Sequence, residues 1–596
     1  MFGLGALVVV AGAWTAYDLR AARSDLLNAR AELANAASGL SGATDSQDAA
    51  AALHDATQRA VAETRHAQSR VRRDPVLRVV GWLPILDTQR NGLVRATEVA
   101  RSAAEIGDRL AAVAQQNADK LAVRNGGIDL TAVGALADAA SRAGKDLSNL
   151  PLTHSNAQWG PLGRATRQLD DLRTSTAERV SHGAGVMQVA ANLLGANGPK
   201  RIFIALLNNA EMRDQGMVLS YAIAETSAGS FRLTRSGSVT DLAVSNAVST
   251  PALPPGTQRI FGALQPNRLW ESVNATADTS LSAALIESLY RSATGDSIDG
   301  VVALDVPTLS GLLNLTGPVS VTGVGEPISA DNVTKVLLDD LYANGAGKSF
   351  AAARSDRLEQ LAATTDAVIE RIRTSAVSGA SIVRALGDAA RGGHTWVATA
   401  DPTGQRALVA AGLAGSPGRD FPERTIHVSV QNATATKLDY FVDPKVEASV
   451  ALADDGTAVV TTTVTVPNGA PVPTPPGEQF GPDGLASTAA GDYRARVYFW
   501  GPSTADQVDS VAESGLRLNF SFADVPAGTT KTVTFTTVVP RAVVDGVLQL
   551  RFVPQARVRP MHLSVHVAGI GWHVKDADRA MSWDQTEDLS WQVHQH

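Results

Sequence analysis

The chain has 596 residues, too many for one hydrophobic core, so two or three domains are expected. Its net charge of −7 argues against a general nucleic-acid binder. With no cysteine, it has no disulfides, thiolate chemistry, iron–sulfur clusters or cysteine-ligated zinc.

Residues 2–16, FGLGALVVVAGAWTA, carry no charge. The stretch is shorter than the about 20 residues of a spanning helix. It has no basic leader and no clear small-residue cleavage site, which favours an uncleaved membrane anchor over residues 1–17. Trp14 and Tyr17 suit an interfacial belt, while Arg20 and Arg23 follow the span and by charge alone would leave the body in the cytoplasm. Next, Leu19, Ala22, Leu26, Ala29, Leu33, Ala36 and Leu40 alternate at steps of three and four, a heptad seam. A polar break follows at 41–48, then a second helix over 49–72. Residues 18–73 therefore read as a helical stalk, an antiparallel hairpin or a dimerising coiled coil. The shortness of the seam favours the hairpin.

A helical domain is expected over residues 74–197, with a docking turn at Trp82-Leu83-Pro84 and helices at 93–115, 130–147 and 163–194. Asn125-Gly126-Gly127 and Pro151 break the pattern. His154 and His182 stand alone, as solvated or structural histidines do. The composition changes at Gly198-Pro199. Residues 202–207 read as a buried strand, 218–225 and 230–235 as a hairpin around Ala228-Gly229, 267–279 as a polar loop and 281–290 as a helix. Residues 298–321, IDGVVALDVPTLSGLLNLTGPVSV, read as strand, short amphipathic helix, Gly317-Pro318 turn and return strand. Helices are expected at 331–342 and 355–374. This alternation predicts a layered α/β domain over 198–400, followed by a linker over 401–424. From residue 425 the pattern turns β-branched and alternating. Strands at 426–430, 446–452, 458–466, 495–499, 516–522, 530–538, 547–552 and 561–567 predict a β-sandwich over 425–596.

Two polar clusters carry candidate chemistry. Asn208, Asn209, Glu211, Arg213 and Asp214 follow the first buried strand, where α/β sheets place ligands. An Arg fork suits phosphate, and Glu211 or Asp214 suits a divalent cation such as Mg2+. Arg354, Asp356 and Arg357 open a helix, whose free N–H groups favour anions. A surface ion pair is the plain alternative for each Arg. Asp299 and Asp305 bracket one strand, roughly 20 Å apart, too far for a glycosidase carboxylate pair. Asp339-Asp340 reads as a solvated helix face. His394, His427, His594 and His596 lack zinc spacing. Gly345-Ala346-Gly347-Lys348 lacks the context of a P-loop, and no GxSxG or dinucleotide fingerprint occurs.

Residues 74–468 resemble an uncharacterised bacterial envelope family, domain of unknown function four-zero-one-two. The matching pieces are DPVLRVVGWLPILDTQ, RIFIALLNNAEMR, WESVNAT, IDGVVALDVPTLSGLLNLTGPV, SDRLEQLA, QRALVAAGLAG and VQNATATKLDYFV. That family commonly reads E-x-R before a Gly-Gly turn; Glu211 and Arg213 match, and Gly216 alone follows in DQGMV. The resemblance implies an anchored cell-membrane protein with an extracytoplasmic body and cell-wall or exopolysaccharide associations. It outweighs the charge rule at Arg20 and Arg23. Residues 202–373 are similar in layout to LytR–CpsA–Psr glycopolymer transferases. Asn274-Ala275 resembles their N-A loop, Val301–Asp305 their valine-rich strand ending in Asp, and Asp356, Arg357 and Gln360 their late helix. Their Ser-x-Pro-Arg-Asp motif is absent; Arg235-Ser236-Gly237-Ser238 stands near its place. This second resemblance implies transfer of a polymer from a polyprenyl-pyrophosphate carrier. Arg213, Arg354, Arg357 and Asn274 would hold the pyrophosphate, and Glu211 or Asp214 an Mg2+ ion.

Two functions follow as expectations. The first is an envelope protein that binds or transfers a lipid-linked or wall-bound glycopolymer. The second is a non-catalytic scaffold meeting protein partners through the stalk and sandwich. Both place the partners at a membrane, and neither involves nucleic acid.

Overall fold

The computed structural model describes residues 46–73, 84–123, 126–155, 158, 160–244, 251–343, 350–375, 377–482, 489–507 and 509–595, with isolated positions 25, 28, 31 and 32. The anchor expected over 1–17, the heptad-seam residues, Trp82-Leu83, Gly345–Lys348 and His596 lie outside them. Among the described residues no helix is long and apolar enough to cross a membrane. The chain divides into two compact units: residues 1–198 with 227–230 and 376–381, and residues 199–226, 231–375 and 382–596.

The first unit is helical. Its elements are α1 (Ser46–Arg73), α2 (Pro84–Asn117), α3 (Leu130–Asn149) and α4 (Gly160–Leu193). Alanines fill the contact surfaces, including Ala56, Ala60, Ala67, Ala100, Ala103, Ala139, Ala140, Ala143 and Ala177, all buried. Small side chains let helix axes approach closely, so many weak dispersion contacts replace a few large ones. Asp25 pairs with Arg70 at 2.9 Å and Glu32 with Arg59 at 2.8 Å. Asp129 caps α3 by accepting from the N–H groups of Thr131 and Ala132. Buried Asp170 on α4 accepts from the N–H groups of Thr153 and His154, both at 2.9 Å, and fixes the chain after the Pro151 break.

The second unit begins with a five-stranded sheet: β1 (Lys200–Asn208), β2 (Met217–Ser227), β3 (Ser230–Ser238), β4 (Gly300–Asp305) and β5 (Thr395–Thr399), in the order β3-β2-β1-β4-β5. Only β1 and β4 are described as parallel; β1–β2 and β4–β5 are antiparallel. Helix α5 (Pro255–Phe261) and helix α6 (Thr279–Thr294) follow β3; α6 is capped by Asp278 and stopped by Gly295 at φ 80°. Phe203 sits at the centre of one core layer, stacked on Tyr221 and Trp270 at 5.6 and 5.7 Å with Tyr290 edge-on. Trp270 therefore anchors the stretch read as a polar loop, and its Nε1–H donates to Leu242 O.

Helix α7 (Val306–Thr316) follows β4 directly, because Asp305 ends the strand and caps the helix at once. Residues 331–342 do not form one regular helix. A helical turn at Val333–Lys335 widens into a π-helical stretch, Val336–Asp340, before Leu341–Ala343. The widening lets three successive side chains, Val336, Leu337 and Leu338, all be buried, which a regular amphipathic turn does not allow. Helices α8 (Phe350–Thr374) and α9 (Gly379–Arg391) lead to β5. The expected linker at 401–424 instead opens with α10 (Pro402–Ala410), capped by Asp401, and Val397 N–H donates to Leu413 O at 2.9 Å.

The sandwich consists of β6 (Thr425–Asn432), β7 (Lys445–Leu452), β8 (Ala458–Pro467), β9 (Tyr493–Gly501), β10 (Val511–Glu513), β11 (Leu516–Val525), β12 (Thr530–Val539), β13 (Val543–Val544), β14 (Val547–Val553), β15 (Met561–Gly569), β16 (Trp572–Val574), β17 (Asp578–Trp583) and β18 (Glu587–Gln595). One sheet runs β10-β11-β9-β6-β14-β18-β16 and the other β12-β8-β7-β15-β17. Strands β7 and β8 alternate strictly between buried and less buried positions, as one-sided sheets do. Strand β6 is buried at every position. Ile426, Val428 and Val430 enter the sandwich core, while His427, Ser429 and Gln431 face the α/β layer. The apolar seam between the two layers joins Phe261, Ala275 and Ala277 to Tyr498, Trp500, Leu516 and Leu518. The regions expected as two domains thus belong to one compact unit.

Candidate functional site

The turn after β1 is held in place by its own polar atoms. Asn208 Oδ1 accepts from Ala210 N–H at 2.8 Å, and Met217 N–H donates to Glu211 O at 2.9 Å. Gly216 closes the turn at φ 94°, where a Cβ would lie 3.1 Å from Asn208 O. Asn274 donates through Nδ2 to Gly216 O, and its own carbonyl accepts from Asp214 N–H. Asn274, expected on pyrophosphate, is fully buried and fastens this turn instead.

Both carboxylates of the turn face cations of the sandwich. Glu211 forms a buried ion pair with Lys437. Burial pulls the Lys437 ammonium down to about 8, against the attraction of Glu478 and Asp439, so it is still charged at neutral pH. Asp214 Oδ1 lies 2.9 Å from His427 Nε2, and His427 Nδ1 lies 2.9 Å from Val553 O. Both neighbours are acceptors, so both ring nitrogens suit N–H groups and the imidazolium is the form that satisfies the site. Burial opposes that charge, but Asp214 and the Val553 carbonyl outweigh it and raise the His427 pKa. His394 repeats the arrangement, with Nδ1 2.6 Å from Asp305 Oδ2; burial is again outweighed by Asp305, and the pKa is raised. Asp305 Oδ1 also accepts from Thr308 N–H and Oγ1–H, and Oδ2 accepts from Asn209 Nδ2–H.

Asp439 is the hub of the seam. Oδ2 accepts from Met212 N–H at 3.0 Å, and Oδ1 accepts from Tyr493 Oη–H at 2.7 Å and Arg557 Nη2–H at 3.2 Å. Arg557 also donates to the carbonyls of Val430, Asp439 and Val442. Its side chain is 4 % exposed and that of Asp439 0 %, so neither charge can turn to water. Burial, then the adjacent Asp439, keep the Tyr493 hydroxyl protonated far above its usual range. Another carboxylate, buried Glu513, accepts from Thr257 and Thr276 hydroxyls at 3.0 and 2.7 Å and from Trp500 Nε1–H at 2.8 Å.

Arg357 on α8 is bidentate to Glu478, with Nη2 2.6 Å from Oε1, and lies 4.4 Å from the Tyr342 ring. Tyr342 Oη accepts from Asn208 Nδ2–H at 2.7 Å, and Gln479 Nε2–H donates to Asp339 Oδ1 at 2.8 Å. Arg354 lies on α8, with its side chain outside the described ones. The structure therefore brings Glu211, Asp214 and Arg357 to one seam, yet commits each to an oppositely charged partner. Among the described residues no group of three His, Cys, Asp or Glu is arranged to hold a metal ion. At Glu211 and Asp214 a divalent cation would have to displace an ammonium and an imidazolium. Arg213 differs: its Nη1 donates to Asn432 O at 3.0 Å, and no carboxylate lies within ion-pair distance among the described residues.

The partners Lys437, Asp439, Glu478, Glu513 and Arg557 escape a reading of the sequence as separate domains. One signal for them was present. His427, Ser429 and Gln431 alternate with valines, a pattern that reads as a solvated strand face until a second layer covers it.

The raised histidines set a pH dependence. A histidine with a higher pKa in the folded state stabilises fully below its unfolded value of about 6.5. That stability is lost as pH rises through the folded pKa. Lys437, lowered to about 8, contributes a slope of the opposite sign only from about pH 7 upward. Thermal stability is therefore expected to fall as pH rises from about 6.5 through the raised histidine pKa values. His427→Gln should flatten the profile in a melting series over that range; an unchanged slope in both His427→Gln and His394→Gln would contradict the assignment.

Residues 197–342 match the family model described as Protein of unknown function (DUF4012). The match spans the turn at 208–216, the Asn274 loop and residues 298–321, and excludes the sandwich partners of the seam. No curated protein and no solved structure matches the chain.

Proposed function

We propose, from the DUF4012 match and the paired charges of the seam, that this chain is a non-catalytic cell-envelope protein that binds a lipid-linked or wall-bound glycopolymer. One observation carries the non-catalytic part. Glu211, Asp214 and Arg357, which a phosphoryl-linked glycan transferase would need free, are paired with Lys437, His427 and Glu478. A metal-assisted transfer needs carboxylates open to the ion and guanidiniums open to the phosphate. Here the same groups join the α/β layer to the sandwich. The uncharged stretch at 2–16 supports anchoring at the cell membrane, with the body outside the cytoplasm and the helical unit next in the chain. The scaffold and binding roles are compatible, since a rigid joined body presents a fixed surface to a polymer.

The test is turnover and binding on one preparation. The full chain is mixed with a polyprenyl-pyrophosphate-linked glycan, a wall-polymer acceptor and Mg2+. Glycan retention on the protein is expected, without release of the carrier above the protein-free rate. Carrier release that Asp214→Asn abolishes would establish a transferase and overturn the proposal.

A further inference from the structure

Arg213 and Arg496 are neighbours at the edge of the seam. Arg213 Nη1 donates to the carbonyl of Asn432, which is paired across the sheet with Ala495, the neighbour of Arg496. Arg496 sits on the face of β9 that carries Tyr498 and Trp500 toward the α/β layer. The Nε–H groups of both arginines are buried and have no hydrogen-bond acceptor. Neither has a carboxylate within ion-pair distance among the described residues; Asp439 and Glu271 act on Arg213 only from farther away. Burial, and then repulsion from Arg496, oppose the Arg213 charge. Two neighbouring like charges with no carboxylate at ion-pair distance among the described residues form a site that an anion relieves.

Beside the pair stands an exposed ring. Phe522 is 46 % exposed, and Arg494 and Arg496 lie 5.4 and 5.1 Å from its centroid. Arg494 is already paired with Asp524 at 3.1 Å, so it holds the ring while Arg496 keeps its charge uncompensated. An open aromatic face next to an anion site matches a sugar ring, whose C–H faces pack on aromatics, carrying a phosphate group.

We propose that Arg213 and Arg496 form an anion site for the phosphate-type oxyanion of a glycan, with Phe522 as the platform for the attached sugar. The anion part stands on geometry alone, while the glycan part rests on the binding function proposed above. The phosphate can come from a lipid-linked pyrophosphate or from a phosphodiester within a wall polymer.

Inorganic pyrophosphate is the first probe, titrated into the full chain by calorimetry at low ionic strength. Saturable, salt-sensitive binding is expected. Arg496→Gln should weaken it by about tenfold or more, and Arg494→Gln by about twofold or less. Arg496 is the safer variant if Arg213→Gln fails to fold. It carries a second readout: removing one of two repelling charges should leave the melting temperature unchanged or higher. Absence of saturable binding, or equal binding in Arg496→Gln, overturns the site. The second arm compares a phosphodiester-linked glycan fragment with polyprenyl pyrophosphate in micelles, and adds Phe522→Ala. Loss of glycan affinity in Phe522→Ala with pyrophosphate affinity kept supports the platform. Pyrophosphate binding with neither glycan bound keeps the anion site and removes the glycan function. Glycan binding that survives Arg496→Gln keeps that function and overturns this site.

Discussion

Asp439→Ala is expected to destabilise the unit of α/β layer and sandwich by about 3–5 kcal/mol. The substitution removes the acceptor for Met212 N–H, the Tyr493 hydroxyl and Arg557 together. Arg557 would then be a buried charge with only carbonyls and the Gln555 amide for partners. Its desolvation cost is not recovered, because the side chain has no path to water. Asp439→Asn should cost less, since the amide oxygen still accepts while the charge is lost. Denaturant unfolding followed by tryptophan fluorescence reads this, since Trp500, Trp583 and Trp591 are buried in the same unit. A loss below about 1 kcal/mol for Asp439→Ala would contradict the hub assignment.

Lys437→Met is expected to have a comparable effect for the opposite reason. Methionine fills much of the lysine volume, so the cavity term is small. What remains is Glu211, 5 % exposed, without its ammonium. A single truncation of a buried pair costs about 3–5 kcal/mol, far more than loss of an exposed one, which is worth about 1 kcal/mol at most. Removing both partners should restore most of the loss, because hydrophobic replacements for a whole buried pair are often neutral.

Single elements were legible where the signal is local. The strand at 202–207, the hairpin after it and the strand–helix–turn of 298–321 lie where their apolar spacing puts them. The strictly alternating strands β7 and β8 read equally well. The short strands β10, β16 and β17 did not, because three to six residues of mixed polarity carry little periodicity. Helix α10 was read as linker because its nine residues follow a Gly-rich, Pro-containing stretch pattern rather than an apolar stripe. The candidate site was legible by half. Glu211, Arg213 and Asp214 stand out as polar residues after a buried strand, but their partners lie more than 200 residues away. Spacing along the chain says nothing about such pairs. Only the fold shows that Glu211 and Asp214 meet Lys437 and His427, while Arg213 meets a carbonyl.

That difference separates bonds from sites. A charged residue after a strand end has two common uses, to hold a ligand or to hold a second layer. In this chain most of the cluster serves the second use, and the arginine pair at its edge is left for the first. The central claim, that the cluster bonds the layers, is tested most directly by a double-mutant cycle across Glu211 and Lys437. Unfolding free energies of the wild type, Glu211→Leu, Lys437→Met and the double variant at pH 7 give the coupling. A coupling of about 2 kcal/mol or more, with the double variant more stable than either single one, is the predicted result. Effects that add to within about 0.5 kcal/mol would mean that the two charges do not hold the layers together, and would contradict the account.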